Sequence, residues 1–139
     1  MRCELNMVIH ATESMNKILD SVKKVLNIKI DQVKIERRDL SGHYGNPIIY
    51  LIIKLNKDDT INLLNSIKNK LSSDELSRLL NNIEDFFDRN KIYLRFSKAN
   101  LCRGRLVLEE AESIKIVIKN ISINKFIRFM SSKSSPNKF

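Results

Sequence analysis

Two histidines, His10 and His43, are the side chains best suited to proton transfer near neutral pH, and a pair of them can cleave RNA through its 2′-hydroxyl. His43 lies in LSGHYGNPI, Leu40 to Ile48, which concentrates two of the chain's three glycines and one of its two prolines. No HxH, HExxH or clustered DxD pattern surrounds either histidine, so no metal centre is expected. A Walker A lysine, a GxGxxG fingerprint and a GxSxG elbow are also absent, so nothing points to a nucleotide-dependent or acyl-transfer enzyme or to a cofactor. Asp58, Asp59, Asp74 and Glu75 are paired acids, but they fall at helix starts, where capping and the helix dipole explain them. The expectation is a protein that is not an enzyme, with a His43-dependent ribonuclease as the minor alternative.

Cations are the more abundant chemical resource. Lys and Arg number 25 against 16 Asp and Glu, a net charge of +9 that favours a polyanionic partner such as nucleic acid or an anionic membrane. Arg37, Arg38, Arg95, Lys98, Arg103 and Arg105 are the candidates for phosphate contact, with His43, Tyr44 and Tyr93 for stacking or base-edge hydrogen bonds. The RNP1 pattern, the GxxG loop and zinc-finger spacing are all missing, so no familiar single-stranded RNA module is indicated. Gly42, Gly45, Asn46 and Pro47 are assigned to shaping the loop, the glycines by supplying positive φ.

These residues need a frame. Alternation at Leu5, Met7 and Ile9 predicts a first strand, with Thr12 as the cap of a helix that carries Met15, Ile18, Leu19, Val22, Val25 and Leu26 on one side and ends near Asn27. A second strand spans Val33 to Arg38, and Ile48 to Leu55 is apolar enough to predict a third strand buried on both faces. Asp58 opens a second helix, and Ser72 with Glu75 forms a capping box for a third. Three further strands follow at 91–96, 105–109 and 113–120. The order β-α-β-β-α-α-β-β-β predicts an α+β fold, with one largely antiparallel sheet and its helices on a single face. The period of two then sends Tyr93, Arg95, Lys115 and Lys119, joined by Lys34, Glu36 and Arg38, to the open face.

A chain of 139 residues with 42% hydrophobic content suits a single domain, placed at 1–120 with a basic extension at 121–139 whose tip is expected to be disordered. Ile123, Phe126, Ile127 and Met130 predict a short amphipathic helix in that extension. That segment or the sheet edge would dock the protein if it were instead an interaction subunit of a larger complex that never touches RNA. No stretch approaches the roughly 18 apolar residues of a membrane span. A cytoplasmic protein with two reduced, packed cysteines, Cys3 and Cys102, is expected.

Three stretches, VIHATES at Val8 to Ser14, GHYGNPI at Gly42 to Ile48 and YLRFSK at Tyr93 to Lys98, together resemble an archaeal family described as RNA-binding proteins or predicted exosome subunits. The resemblance covers about residues 3 to 120. It implies a fold similar to ribosomal protein L five, RNA as a partner, a predicted association with the RNA-degrading exosome, and binding with no established reaction. The chain departs from the family where Ser14 and Ser97 stand in place of acidic residues. If those regions meet, the two missing carboxylates would make the surface beside Arg95 and Lys98 more attractive to phosphate.

Overall fold

The computed structural model describes residues 1–42 and 44–132. It contains strand β1 (Arg2–His10), helix α1 (Met15–Leu26), strands β2 (Lys34–Ser41) and β3 (Pro47–Leu55), and helices α2 (Lys57–Lys70), α3 (Ser73–Asn81) and α4 (Ile83–Phe86). There follow strand β4 (Phe87–Asp88), strand β5 (Lys91–Ser97), helix α5 (Lys98–Cys102), strand β6 (Ser113–Lys119) and helix α6 (Ile123–Ser131). The six strands form one antiparallel sheet in the order β2-β3-β1-β6-β5-β4, the α+β architecture expected from the alternating patterns.

Period-two burial drives the layering. Leu5, Met7 and Ile9 of β1, Leu51, Ile53 and Leu55 of β3, Ile92, Leu94 and Phe96 of β5 and Ile114, Ile116 and Ile118 of β6 all face the helices in one core. Helix α1 adds Ile18, Val22 and Leu26, and α2 adds Leu63, Leu64 and Ile67. Ser14 rather than Thr12 caps α1, its Oγ accepting the Lys17 N–H at 3.2 Å, while Asn27 ends the helix at φ 54°. The intervening residues form a turn in which His10 N–H donates to Glu13 Oε1 at 2.8 Å and Glu13 N–H donates to the His10 carbonyl at 2.9 Å. That turn moves the helix start two residues along.

Three other expectations change. Strand β3 is fully buried only on its helix side, at Leu51, Ile53 and Leu55, while its outer residues Ile48, Tyr50 and Ile52 stay partly exposed. The run 105–109 makes a single bridge, Phe96 to Leu108, in place of a strand. On the side away from β5 its backbone is held by α3: Leu108 N–H donates to Glu75 Oε2 at 2.8 Å and its carbonyl accepts from Arg78 Nη1 at 3.2 Å. Glu75 therefore keeps one half of the predicted capping box, its N–H bonded to Ser72 Oγ at 3.2 Å, and uses its carboxylate elsewhere. Lastly, Ile121, Phe126, Phe129 and Met130 belong to the main core, so the segment after residue 120 is packed into the domain through α6. Phe126 meets Phe87 edge to face at 5.9 Å. The tail at 133–139 lies outside the described residues.

Candidate nucleic-acid interface

Residues paired directly across antiparallel strands share a face, so the registers define rows across the open side of the sheet. One row runs Tyr93, Val117, Glu4, Lys54, Lys34 from β5 to β2, and the next runs Arg95, Lys115, Asn6, Ile52, Glu36. Further along, Val8, Tyr50 and Arg38 line up, followed by His10, Ile48 and Leu40. The open face thus receives Arg38, Tyr93 and Arg95 as the pattern predicts.

Several of its charges neutralise one another. Lys54 Nζ lies 2.9 Å and Lys34 Nζ 3.9 Å from Glu36, and Lys119 Nζ lies 3.2 Å from Glu4. The hydrogen bond and charge of Lys54 hold the Glu36 carboxyl below its ordinary pKa, and the same bond raises that of Lys54. Arg38, Arg95 and Lys115 form no ion pair among the described residues. With Arg2 and Lys91, which flank Lys119 in the row at the far end of the same face, they are cations open to an outside anion, and Arg95 and Lys115 are register partners on neighbouring strands. Tyr50 between them and Arg38 is held by its hydroxyl, 3.2 Å from Asn6 Oδ1.

The remaining candidates are placed elsewhere. Arg37 is adjacent to Arg38 in sequence, yet strand geometry turns it to the opposite face, where it pairs with Asp39 at 3.1 Å. Arg103 and Arg105 are exposed on the turn after α5, a helix packed beside α1 in the other layer. Lys98 needs correction as a phosphate contact, because it is only 5% exposed. Its ammonium donates to the Val8 carbonyl at 2.7 Å and to Glu13 Oε1 at 2.9 Å, with Glu112 at 3.6 Å. Burial alone pushes the Glu13 carboxyl up, but the His10 N–H and the Lys98 ammonium outweigh it and hold the group below its ordinary value. His43 lies outside the described residues.

The glycine-bearing loop joins β2 to β3 as a hairpin turn, closed where Ser41 pairs with Pro47. Gly45 has φ +78°, the left-handed conformation that glycine tolerates without strain. Gly42 serves differently from the expected positive φ: a Cβ there would stand 2.7 Å from the Ile48 side chain, while its N–H is bonded to Asn46 O. Pro47 opens β3 one residue before its pairing with β1 begins at Ile48, so its missing N–H costs no bond to β1. Tyr44 is 85% exposed.

These contacts bring three distant stretches to one corner of the sheet. Val8 to Ser14 meets Tyr93 to Lys98 through Lys98, and meets the hairpin through the pairing of His10 with Ile48. His10 Nε2 lies 3.5 Å from Glu112 at that corner. Tyr50, Asn6 and Arg78 were not singled out by sequence reasoning. The parity linking Tyr50 to Arg38 was the signal available for the first of them. Ser14 and Ser97 are both helix caps, Ser97 Oγ accepting the Asn100 N–H at 3.1 Å. Aspartate caps equally well, so serine at these positions preserves the local fold. Among the described residues, no group of three or more His, Cys, Asp or Glu side chains is arranged to hold a metal ion.

The sheet and its half-basic open face define an α+β protein whose exposed sheet surface carries unpaired cations. A family model described as RNA binding matches residues 2–120, and the chain belongs to that family. It is similar to a Sulfolobus solfataricus protein of the DUF54 family known from its crystal structure, with 29% identity and a TM-score of 0.80 over 94% of this chain and 97% of that one. A DUF54 protein from Archaeoglobus fulgidus, 20% identical, shares the fold with a TM-score of 0.72 over 92% of this chain and 94% of its own. An uncharacterised protein of Methanocaldococcus jannaschii is 23% identical over 124 residues, 86% of this chain and 83% of its own length.

Proposed function

We propose that this protein binds RNA through the open face of its sheet, without catalysing a reaction on it. The observation that carries the reading is the register pair Arg95 and Lys115, two cations on neighbouring strands with no ion-pair partner among the described residues. Arg38 extends the cationic surface toward β2, and Tyr93 and Tyr50 offer partly exposed rings beside it. Membership of the RNA-binding family supports the same partner. The burial of Phe126, Phe129 and Met130 speaks against the competing idea of a docking helix, since the apolar side of α6 is already covered. A role beside the exosome in RNA processing or degradation belongs to the same proposal and rests on the family resemblance.

Binding through Arg38, Arg95 and Lys115 releases about three counterions from a single strand, so affinity falls roughly twenty-fold between about 50 and 200 mM salt. A fluorescence-anisotropy titration with a labelled RNA measures this directly. Absence of binding at about 50 mM salt would sink the proposal.

A further inference from the structure

The open face carries three depressions in a chain, each with its own tyrosine. The first, of about 290 Å³ at the outer edge of β5, is lined by Tyr93, Phe86, Arg95, Asp85 and Glu110. The second, of about 380 Å³, shares Arg95 and Glu110 with it and adds Lys115, Tyr50 and His10. The third, of about 570 Å³, shares His10 with the second and lies against Tyr44, Pro47 and Ile48 of the hairpin. Tyr93 and Tyr50 stand on strands three positions apart in the sheet and two rows apart along it, so this track runs diagonally for about 20 Å between them before continuing to the hairpin.

We infer that the RNA bound here is single-stranded and follows this track, its phosphates on Arg95 and Lys115 and unpaired bases against Tyr93, Tyr50 and Tyr44. The inference rests on the RNA-binding reading above. Two features favour an unpaired strand over a duplex. Rings set in concave sites receive the face of a base, which a duplex keeps inside its stack. The acids point the same way: Asp85, Glu109 and Glu110 outnumber Arg95 and Arg78 around the Tyr93 depression, Arg78 being engaged by the Leu108 carbonyl and Glu75, and they disfavour phosphates laid over it. Toward a splayed base those carboxylates are acceptors for exocyclic amino groups, as in the carboxylate contact to cytosine N4. The Tyr93 site therefore suits a base, and the adjoining Arg95–Lys115 pair suits its phosphate.

The test is anisotropy with an unstructured 12-nucleotide RNA, free and annealed to its complement, on wild type, Tyr93→Phe and Tyr93→Leu. Tyr93→Leu removes the ring while keeping apolar cover on the strand, and thermal unfolding confirms that it folds. The single strand is expected to bind at least tenfold more tightly than the duplex, with Tyr93→Leu losing about tenfold and Tyr93→Phe keeping wild-type affinity. Duplex bound as tightly as single strand, or Tyr93→Leu behaving as wild type, overturns the inference and leaves RNA binding standing. No binding of either RNA overturns both.

Discussion

Lys98 shows why a basic residue in a basic chain is not automatically a contact for an anion. Its ammonium is closed in by Val8, Glu13 and Glu112, contributed by the first strand, the turn after it and a loop more than ten residues on. Removing Glu13 leaves that buried charge with weaker support. Glu13→Ala should cost about 2 kcal/mol, less than the roughly 3–5 kcal/mol of a fully stranded charge because Val8 and Glu112 remain. Urea unfolding of the two proteins measures the difference. The pH dependence has a definite sign. The carboxyl of Glu13 is held below its ordinary value in the folded protein, so its contribution is complete above the unfolded value of about 4.3 and is lost as pH falls through the folded one. Wild type and Glu13→Ala should therefore converge in stability in acid, and an undiminished gap there would contradict the tie. Nothing in the sequence around Lys98 distinguishes it from Arg95, because its partners Val8 and Glu13 are some 90 and 85 residues away. Arg37 and Arg38, by contrast, are separable by strand parity alone, since neighbours in a strand cannot share a face.

Strands and helices were largely legible in the sequence because burial on one side imposes periods of two or about 3.6. The run at 105–109 is the element read most differently. Residues 105–109 have a strand's alternation but make one bridge to β5, through Ser97 N–H to Val107 O and Glu109 N–H to Arg95 O, while Glu75 and Arg78 of α3 bind the polar groups of Leu108 that point away from β5. This arrangement covers part of the β5 edge, and β4 pairs at its other end. Such cover blunts edge-to-edge association. Helix α6 shows the opposite case, since its amphipathic spacing was visible but its destination was not. Phe126 is fully buried and stacked edge to face on Phe87, and Lys68 Nζ lies 5.1 Å from the centre of the Phe129 ring. Phe126→Ala should therefore destabilise the whole domain by about 3–5 kcal/mol. A loss under about 1 kcal/mol in chemical denaturation would mean that α6 is a dispensable appendage.

Over the whole molecule, the surplus of cations is not spread evenly in its consequences. Glu36 and Glu4 take up Lys34, Lys54 and Lys119, and Glu13 and Glu112 hold Lys98, leaving Arg95 and Lys115 as a pair available to an anion between Tyr93 and Tyr50. Net charge alone cannot produce specificity of place, but a register pair can. Arg103 and Arg105 make a matched comparison, because they are exposed, equally charged and set on the turn after α5. The most direct test compares RNA affinity and its salt slope for two double variants of equal net charge, Arg95→Ala/Lys115→Ala and Arg103→Ala/Arg105→Ala. The open-face pair should lose at least about tenfold in affinity and about 1.4 in slope, at about 0.7 per phosphate, while the α5 pair stays within about twofold of wild type. Equal losses from both would contradict a site on the open sheet and leave only diffuse attraction by a basic protein.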